Sequence, residues 1–100
     1  MTADPARLDA TIRGRVQAVG FRVFAAQAAT ALGLTGWVAN LPDGAVRCVV
    51  EGPRPMLDRF LVDLRAGPGA ARVDVIDEVW SVAVGDTDGF RIRSYAHGGD

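Results

Sequence analysis

The sequence contains no lysine, a single cysteine and a single histidine, and each scarcity excludes a class of chemistry. Without lysine, the chain can form neither a lysine Schiff base nor the lysine contact of a P-loop. Because Cys48 is alone, an internal disulfide is impossible and a cysteine-based metal site is not expected. The one histidine, His97, lies in a glycine-rich C-terminal segment, a poor position for a Ser-His-Asp triad. The chemistry of this protein must therefore use other groups.

Long hydrophobic runs and a strong net charge are also absent. The longest apolar run is far shorter than the ~20 residues needed to cross a bilayer. The first residues contain no apolar segment typical of a secretory signal, so we expect a cytoplasmic protein without a membrane partner. The net charge is −1, and no basic stripe of the kind that drives nucleic-acid binding is visible. A chain of 100 residues can build one domain around one hydrophobic core.

The first half of the chain has the periodicity of a strand, a helix and a hairpin. Residues 8–14 alternate apolar and polar side chains, which predicts a strand that ends at a glycine. Residues 21–32 place apolar side chains at helical spacing, which predicts the first helix. Residues 35–41 and 45–51 predict two strands, and the Pro-Asp-Gly turn at 42–44 joins them into a hairpin.

The second half of the chain predicts a helix and two further strands. Apolar residues from Leu57 to Leu64 mark an amphipathic helix, with Pro55 in its first turn. The helix is expected to end at the Gly-Pro-Gly sequence of 67–69. Residues 73–82 predict a long strand, interrupted near Asp77 and Glu78, and a short strand follows at 90–93.

This order of elements predicts an α+β domain with the ferredoxin-like, split βαβ fold. The plan is βαββαβ plus a short terminal strand, an antiparallel sheet with two helices on one face. We place a single domain at residues 8–93. A flexible N-terminus is expected at 1–7 and a loose tail at 94–100. The fold alone decides no function, because unrelated activities share it.

The segment between the first strand and the first helix, residues 14–22, is the main candidate for an anion-binding site. Backbone N–H groups in such a loop can converge on an anion, helped by the free N–H groups of the helix N-terminus. Arg22, at the start of the helix, could grip the same anion with two parallel donors. The natural ligand is a phosphate or a carboxylate. Alternatively, the loop is only a turn and Arg22 is an ordinary surface residue.

Asn40 is the second candidate, because the predicted topology returns it to the same edge of the sheet. A helix of about 12 residues descends about 18 Å, and the strand after it climbs back in about five or six residues. Asn40 then lies beside the loop, where its amide can both donate and accept hydrogen bonds and so hold a water molecule. Alternatively, Asn40 only leads into the turn at 42–44.

These two segments resemble the two sequence signatures of the acylphosphatase family. The first signature is G-x-V-Q-G-V-x-F-R, and residues 14–22 read GRVQAVGFR, which differs at one specified position, Ala18. The second is G-W-V-x-N, three residues, G-x-V, five residues and G, and residues 36–52 match it throughout. Residues 90–93, FRIR, resemble the last strand of the family. The resemblance extends over residues 8–93, nearly the whole chain.

The resemblance implies a monomeric hydrolase that acts on a small molecule. It implies that an acyl phosphate and water react to a carboxylate and inorganic phosphate, without a metal or cofactor. Arg22 would bind the substrate phosphate, and Asn40 would position the attacking water. The backbone N–H groups that would bind the phosphate with Arg22 belong to Arg15, Val16, Gln17, Ala18, Val19, Gly20 and Phe21.

Such a reaction suits a chain with few acid–base side chains. A carboxylate is a good leaving group, because its conjugate acid has a pKa near ~4. Catalysis of phosphoryl transfer can rest on positioning and charge stabilisation. N–H groups, one arginine and one oriented water are then sufficient.

Ala18 is the one departure from the family pattern, and three consequences are open from the sequence. If the position needs φ > 0, alanine costs roughly 1–2 kcal/mol. If the phosphate approaches closely, the methyl group obstructs it. If the backbone is ordinary, nothing is lost. We expect activity to survive. The alternative is a catalytically weakened module that binds phosphate or acyl phosphate without turnover.

Two further alternatives come from other uses of this fold. A ferredoxin-like RNA-binding domain would show exposed aromatic residues on the sheet and a basic face, which this sequence does not favour. The second alternative is an accessory domain of a larger carbamoyl-transfer protein, because related domains occur in such proteins.

Overall fold

A computed structural model describes residues 5–95, which form five strands and two helices. The elements are β1 (Pro5–Arg15), α1 (Phe21–Ala31), β2 (Thr35–Asn40), β3 (Val46–Pro53), α2 (Arg54–Ala66), β4 (Arg72–Val82) and β5 (Phe90–Tyr95). The predicted ferredoxin-like α+β fold is confirmed.

The five strands form one sheet in the order β4-β1-β3-β2-β5. The pairs β1–β3, β1–β4 and β2–β3 are antiparallel, as predicted. The pair β2–β5 is parallel, so the sheet is mixed rather than wholly antiparallel. The parallel pair arises because the segment between β4 and β5 carries the chain from one edge of the sheet to the other.

The hydrophobic core lies between the sheet and the two helices. Alternate residues of the neighbouring strands β1 and β3 point into this core and are fully buried, while the residues between them face the other side of the sheet. Full burial of a valine, leucine, isoleucine or phenylalanine side chain stabilises the fold by about 1.5–3 kcal/mol relative to exposure. The strand residues are Leu8, Ala10 and Ile12 of β1 and Val46, Cys48 and Val50 of β3; the helix residues are Phe21, Ala25 and Ala29 of α1 and Leu57, Phe60, Leu61 and Leu64 of α2.

The strands at both ends of the described chain are longer than predicted. Residues 5–7, which the sequence placed in a flexible N-terminus, belong to β1, where Ala6 pairs with Gly52 of β3 and Val82 of β4. Ser94 and Tyr95, placed in a loose tail, belong to β5. Backbone pairing with neighbouring strands determines these ends, and it leaves no hydrophobic period in the sequence. Residues 1–4 and 96–100 lie outside the described residues.

The predicted interruption of β4 near Asp77 and Glu78 is wrong. The strand is continuous through these residues, and its one irregularity is at Asp74, which has no partner between the pairs Arg13–Val75 and Gly14–Val73. β4 is an edge strand, so its acidic side chains remain in contact with water and form ion pairs with arginine side chains. Asp77 accepts a hydrogen bond from Arg13 at 3.3 Å, and Glu78 accepts one from Arg65 at 2.9 Å.

Glu51 is a buried carboxylate that holds the segment leading from β4 to β5. Its side chain accepts hydrogen bonds from the backbone N–H groups of Val84 and Gly85, both at 2.9 Å, and from Arg7 at 2.8 Å. Burial raises the pKa of Glu51, but these three donors outweigh burial and hold its pKa below the usual value. The ionised carboxylate therefore fixes the start of the connection to β5.

We expect Glu51→Gln to lower the free energy of unfolding by about 1–3 kcal/mol at pH 7. The reason is that the three donors lose a charged acceptor for their hydrogen bonds at a buried site. A carboxylate with a lowered folded-state pKa contributes stability above its unfolded pKa of about 4.3 and loses it as the pH falls through the folded value. The difference between parent and variant should therefore shrink below pH 4 in urea titrations. Glu78→Gln, at an exposed residue of β4 that pairs with Arg65, is the matched control and should change stability by about 0.5 kcal/mol or less. A difference that does not depend on pH would contradict this role for Glu51.

Candidate active site

A small pocket of about 110 Å³ lies where β1 ends, α1 begins and β2 ends. It contains the two residues that the sequence analysis selected, Arg22 and Asn40. β1 and β2 point the same way because each is antiparallel to β3, so both end at the same edge of the sheet. The residues that line the pocket are Val16, Ala18, Gly20, Phe21, Arg22, Val23 and Asn40.

The loop before α1 is bent by two residues with left-handed backbone. Ala18 has φ +61° and Gly20 has φ +78°, and Ala18 is the one non-glycine residue with positive φ among residues 5–95. Such backbone turns N–H groups toward a common centre, an arrangement that binds anions. Of the three possibilities for Ala18, the strained backbone is the one observed. Its exposed methyl group also forms part of the pocket wall.

The first turn of α1 adds unpaired donors and a positive dipole end to this pocket. The first intrahelical hydrogen bond runs from the N–H of Phe24 to the carbonyl of Gly20, at 3.0 Å. The N–H groups of residues 21–23 therefore have no acceptor within the helix. The first turn carries no acidic side chain to occupy them. This end of the helix is suited to an anion.

Arg22 is half-buried and is oriented by the last strand. Its Nη1 donates to the backbone carbonyl of Arg93 at 2.7 Å, with a longer contact of 3.4 Å to the carbonyl of Ser94. These partners are neutral, so they orient the guanidinium without neutralising its charge. The guanidinium keeps further N–H donors for a ligand, because it has five in all.

The position of Arg93 depends on contacts with the neighbouring strand β2. Its guanidinium lies over the ring of Trp37, with the carbon of the guanidinium 4.7 Å from the ring centroid. Its backbone pairs with Ala39 of β2, and the pairing becomes irregular between Ala39 and Asn40. Irregular pairing of this kind redirects side chains near functional sites. The acceptor for Arg22 was missed by sequence reasoning, because its nearness requires the parallel β2–β5 pair.

Gln17 connects the loop to the turn after Asn40. Its Nε2 donates to the backbone carbonyls of Leu41 and Ala45, at 2.8 and 2.9 Å. One amide thus uses both of its N–H donors to join the two segments that form the pocket. The sequence analysis assigned Gln17 only a backbone role. The signal that could have found this contact is a glutamine, whose amide carries two N–H donors, in a loop expected to lie near the turn at 42–44.

Two of the predicted loop residues, Arg15 and Val19, lie around the pocket rather than on its wall. The side chain of Arg15 is exposed at the end of β1, where its backbone pairs with Arg72 of β4. Val19 is partly buried and packs against the hydrophobic core. The pocket wall itself includes Val16, Gly20 and Phe21, as well as Ala18.

Other chemical groups lie away from this pocket. Cys48 is fully buried in the core, and burial raises the pKa of its thiol far above the usual value, so it is a packing residue. His97 lies outside the described residues. Between residues 5 and 95, no cluster of three or more His, Cys, Asp and Glu side chains could hold a metal ion. None of the helices described is long and apolar enough to span a bilayer.

The bent loop, the helix N-terminus and the oriented arginine belong to a small α+β protein with a pocket suited to an anion. Comparison with known proteins identifies its family. The sequence model described as Acylphosphatase matches residues 8–92. An acylphosphatase of Salinibacter ruber is 45% identical over 92 residues, which are 92% of this chain and 97% of the relative. The chain belongs to the acylphosphatase family.

Two further similarities agree with this assignment. An acylphosphatase of Thermus thermophilus is 48% identical over 79 residues, which are 79% of this chain and 90% of the relative. The crystal structure of acylphosphatase from Bacillus subtilis has a TM-score of 0.86 to this chain at 33% identity. That similarity covers 88% of this chain and 98% of the crystal structure's chain.

We expect Ala18→Gly to stabilise the protein. Relief of left-handed strain, about 1–2 kcal/mol, exceeds the roughly 0.4–1 kcal/mol that glycine costs through the unfolded chain. A net gain of about 0.5 kcal/mol raises Tm by about 2–4 °C, which thermal unfolding can measure. The control is Ala70→Gly, at an exposed loop alanine without positive φ, which should destabilise. The kcat/KM of the Ala18→Gly variant should rise or stay the same, and a loss of activity would show that the loop has been misread.

Proposed function

We propose that Arg22 and the loop N–H groups hold the phosphoryl group during acyl phosphate hydrolysis, while Asn40 orients the attacking water. The observation that carries the proposal is that Arg22, the bent loop and Asn40 form the walls of one pocket of about 110 Å³. Family membership supports the reaction class. The orientation of Arg22 by a neutral carbonyl supports its role, because its positive charge stays available to a phosphate.

The reaction needs one bond to form and one to break. Water attacks phosphorus, the bond between phosphorus and the bridging oxygen breaks, and the carboxylate leaves with its electron pair. The leaving carboxylate needs no proton, because its conjugate acid has a pKa near ~4. Charge on the transferring phosphoryl group is stabilised by Arg22 and by N–H groups already aimed at it.

The proton of the water needs an acceptor, and the pocket offers no protein base. Arg22 is the only titratable side chain among the residues that line it. The amide of Asn40 can accept a hydrogen bond from water but cannot take its proton. An oxygen of the substrate phosphate is therefore the acceptor in this proposal.

A second candidate function follows from the strain at Ala18. Its φ of +61° and its methyl group on the pocket wall favour a catalytically weakened module that binds phosphate or acyl phosphate without turnover. The two candidate functions both require phosphate binding, and they differ in whether the bound acyl phosphate is hydrolysed.

The proposal also describes a monomer in the cytoplasm that acts on a small molecule. The net charge of −1 argues against a nucleic-acid partner. Analytical ultracentrifugation at several protein concentrations tests this, because a monomer keeps the same molecular mass at each concentration.

The test is hydrolysis of benzoyl phosphate in the presence of a chelator, by the parent protein and by Arg22→Ala and Asn40→Ala. We expect metal-independent turnover by the parent and a loss of about 10²–10³-fold in kcat for each variant, because each loses a preorganised contact. Arg91→Ala, an exposed arginine on β5 away from the pocket, is the matched control and should keep its activity.

Circular dichroism and thermal unfolding must show that the variants are folded. If the folded parent binds inorganic phosphate but does not turn over substrate, the weakened-module function is correct. If Arg91→Ala loses as much activity as Arg22→Ala, the assignment of Arg22 is wrong.

A further inference from the structure

An apolar groove of about 460 Å³ lies between α1 and β5. It is directly beside the small pocket that contains Arg22 and Asn40, which we call the phosphate pocket. Its helix residues lie three, four, seven and eight positions after Val23, which is the spacing of one helical face. Val23 is 53% exposed and Ile92 is 47% exposed, so the groove is open to solvent. The lining residues are Val23, Ala26, Gln27, Thr30 and Ala31 of α1 and Ile92 of β5.

The groove begins where the phosphate pocket ends. Val23 lines both of them. Arg22 precedes it, and the guanidinium of Arg22 binds the carbonyl of Arg93, the residue after Ile92. The two elements that orient the phosphate-binding arginine are therefore the two walls of the groove.

The sizes of the two spaces indicate which part of a substrate each can hold. At about 110 Å³, the phosphate pocket is far below the ~300–1,000 Å³ of sites that enclose a whole small ligand. It has room for the phosphoryl group, so the acyl group must lie outside it. The adjoining wall is uncharged, because none of the residues that line the groove is ionisable.

We propose that this groove binds the acyl group of the substrate and that the protein prefers acyl phosphates with apolar, aromatic acyl groups. Acetyl and carbamoyl phosphate are too small to reach along α1, and an acyl group with a second anion would meet no cation in the groove. This inference rests on the phosphate-binding role proposed for Arg22 and the loop. It names the occupant of the groove as the substrate itself, from its continuity with the pocket at Val23.

The test compares kcat/KM for benzoyl phosphate and acetyl phosphate in the parent, Val23→Thr and Ile92→Thr. Threonine keeps the branched shape but replaces a methyl group with a hydroxyl, so it removes apolar contact with little change in volume. We expect the benzoyl-to-acetyl ratio to fall about three- to tenfold in each variant. Val62→Thr is the matched control, because Val62 is a helix valine of similar exposure, 57%, on α2. Its ratio should equal that of the parent.

A binding measurement separates this inference from the hydrolysis mechanism. In acetonylphosphonate and phenacylphosphonate a methylene replaces the bridging oxygen, so neither can be hydrolysed at that bond. We expect the parent to bind the aromatic compound more tightly by about tenfold, and Val23→Thr to reduce that preference.

Several results would overturn the inference. If both substrates are turned over but the ratio is the same in all variants, the groove does not bind the acyl group, while the proposed function stands. If the folded parent turns over neither substrate, the proposed function fails, and the phosphonates still decide whether the groove is used. If the protein dimerises and Val23→Thr abolishes the dimer, the groove is an interface between two copies.

Discussion

Burial of one face of the sheet is the constraint on which the rest of this structure depends. Along β1 and β3, alternate side chains are fully buried and the residues between them face the other side. Both helices pack on this face, where most of the buried apolar surface lies, while a smaller buried cluster of Trp37, Ala39 and Val49 lies on the opposite face. The chain then leaves β1, descends along α1 and climbs along β2. The end of β1, the start of α1 and the end of β2 meet at one edge, and the pocket forms there.

The same core supports a strained loop. Ala18 has an unfavourable backbone, and such strain persists only where the surrounding structure holds it. Val16 and Phe21, on either side of the bend, are each 1% exposed and anchor both ends of the loop in the core. The side chain of Gln17 holds its middle against the turn after Asn40. Hydrophobic burial at the ends and two hydrogen bonds in the centre hold the loop in its bent shape.

The last strand, β5, links the pocket to its surroundings. Its backbone carbonyl at Arg93 orients Arg22, and its side chain at Ile92 forms a wall of the apolar groove. β5 can lie beside β2 only because the chain crosses the sheet from the edge strand β4 to the opposite edge. Glu51 fixes the start of that crossing with hydrogen bonds to two consecutive N–H groups. A buried carboxylate remote from the pocket thus takes part in placing the strand that orients Arg22.

The sequence by itself was sufficient for the fold class and for the order of the elements, because these depend on local periods and on the lengths of successive elements. It also made Arg22 and Asn40 candidates, but the two segments that resemble acylphosphatase signatures, rather than periodicity, favoured them over ordinary surface and turn residues. The tertiary structure decided what depends on distant residues. The parallel β2–β5 pair, the continuous β4 and the two contacts of Gln17 join segments that no short pattern relates. The left-handed backbone of Ala18 also appeared only in the fold, because alanine adopts it when neighbouring burial outweighs its cost. Local periodicity therefore determined which elements form, and long-range packing and hydrogen bonding decided how they meet at the site.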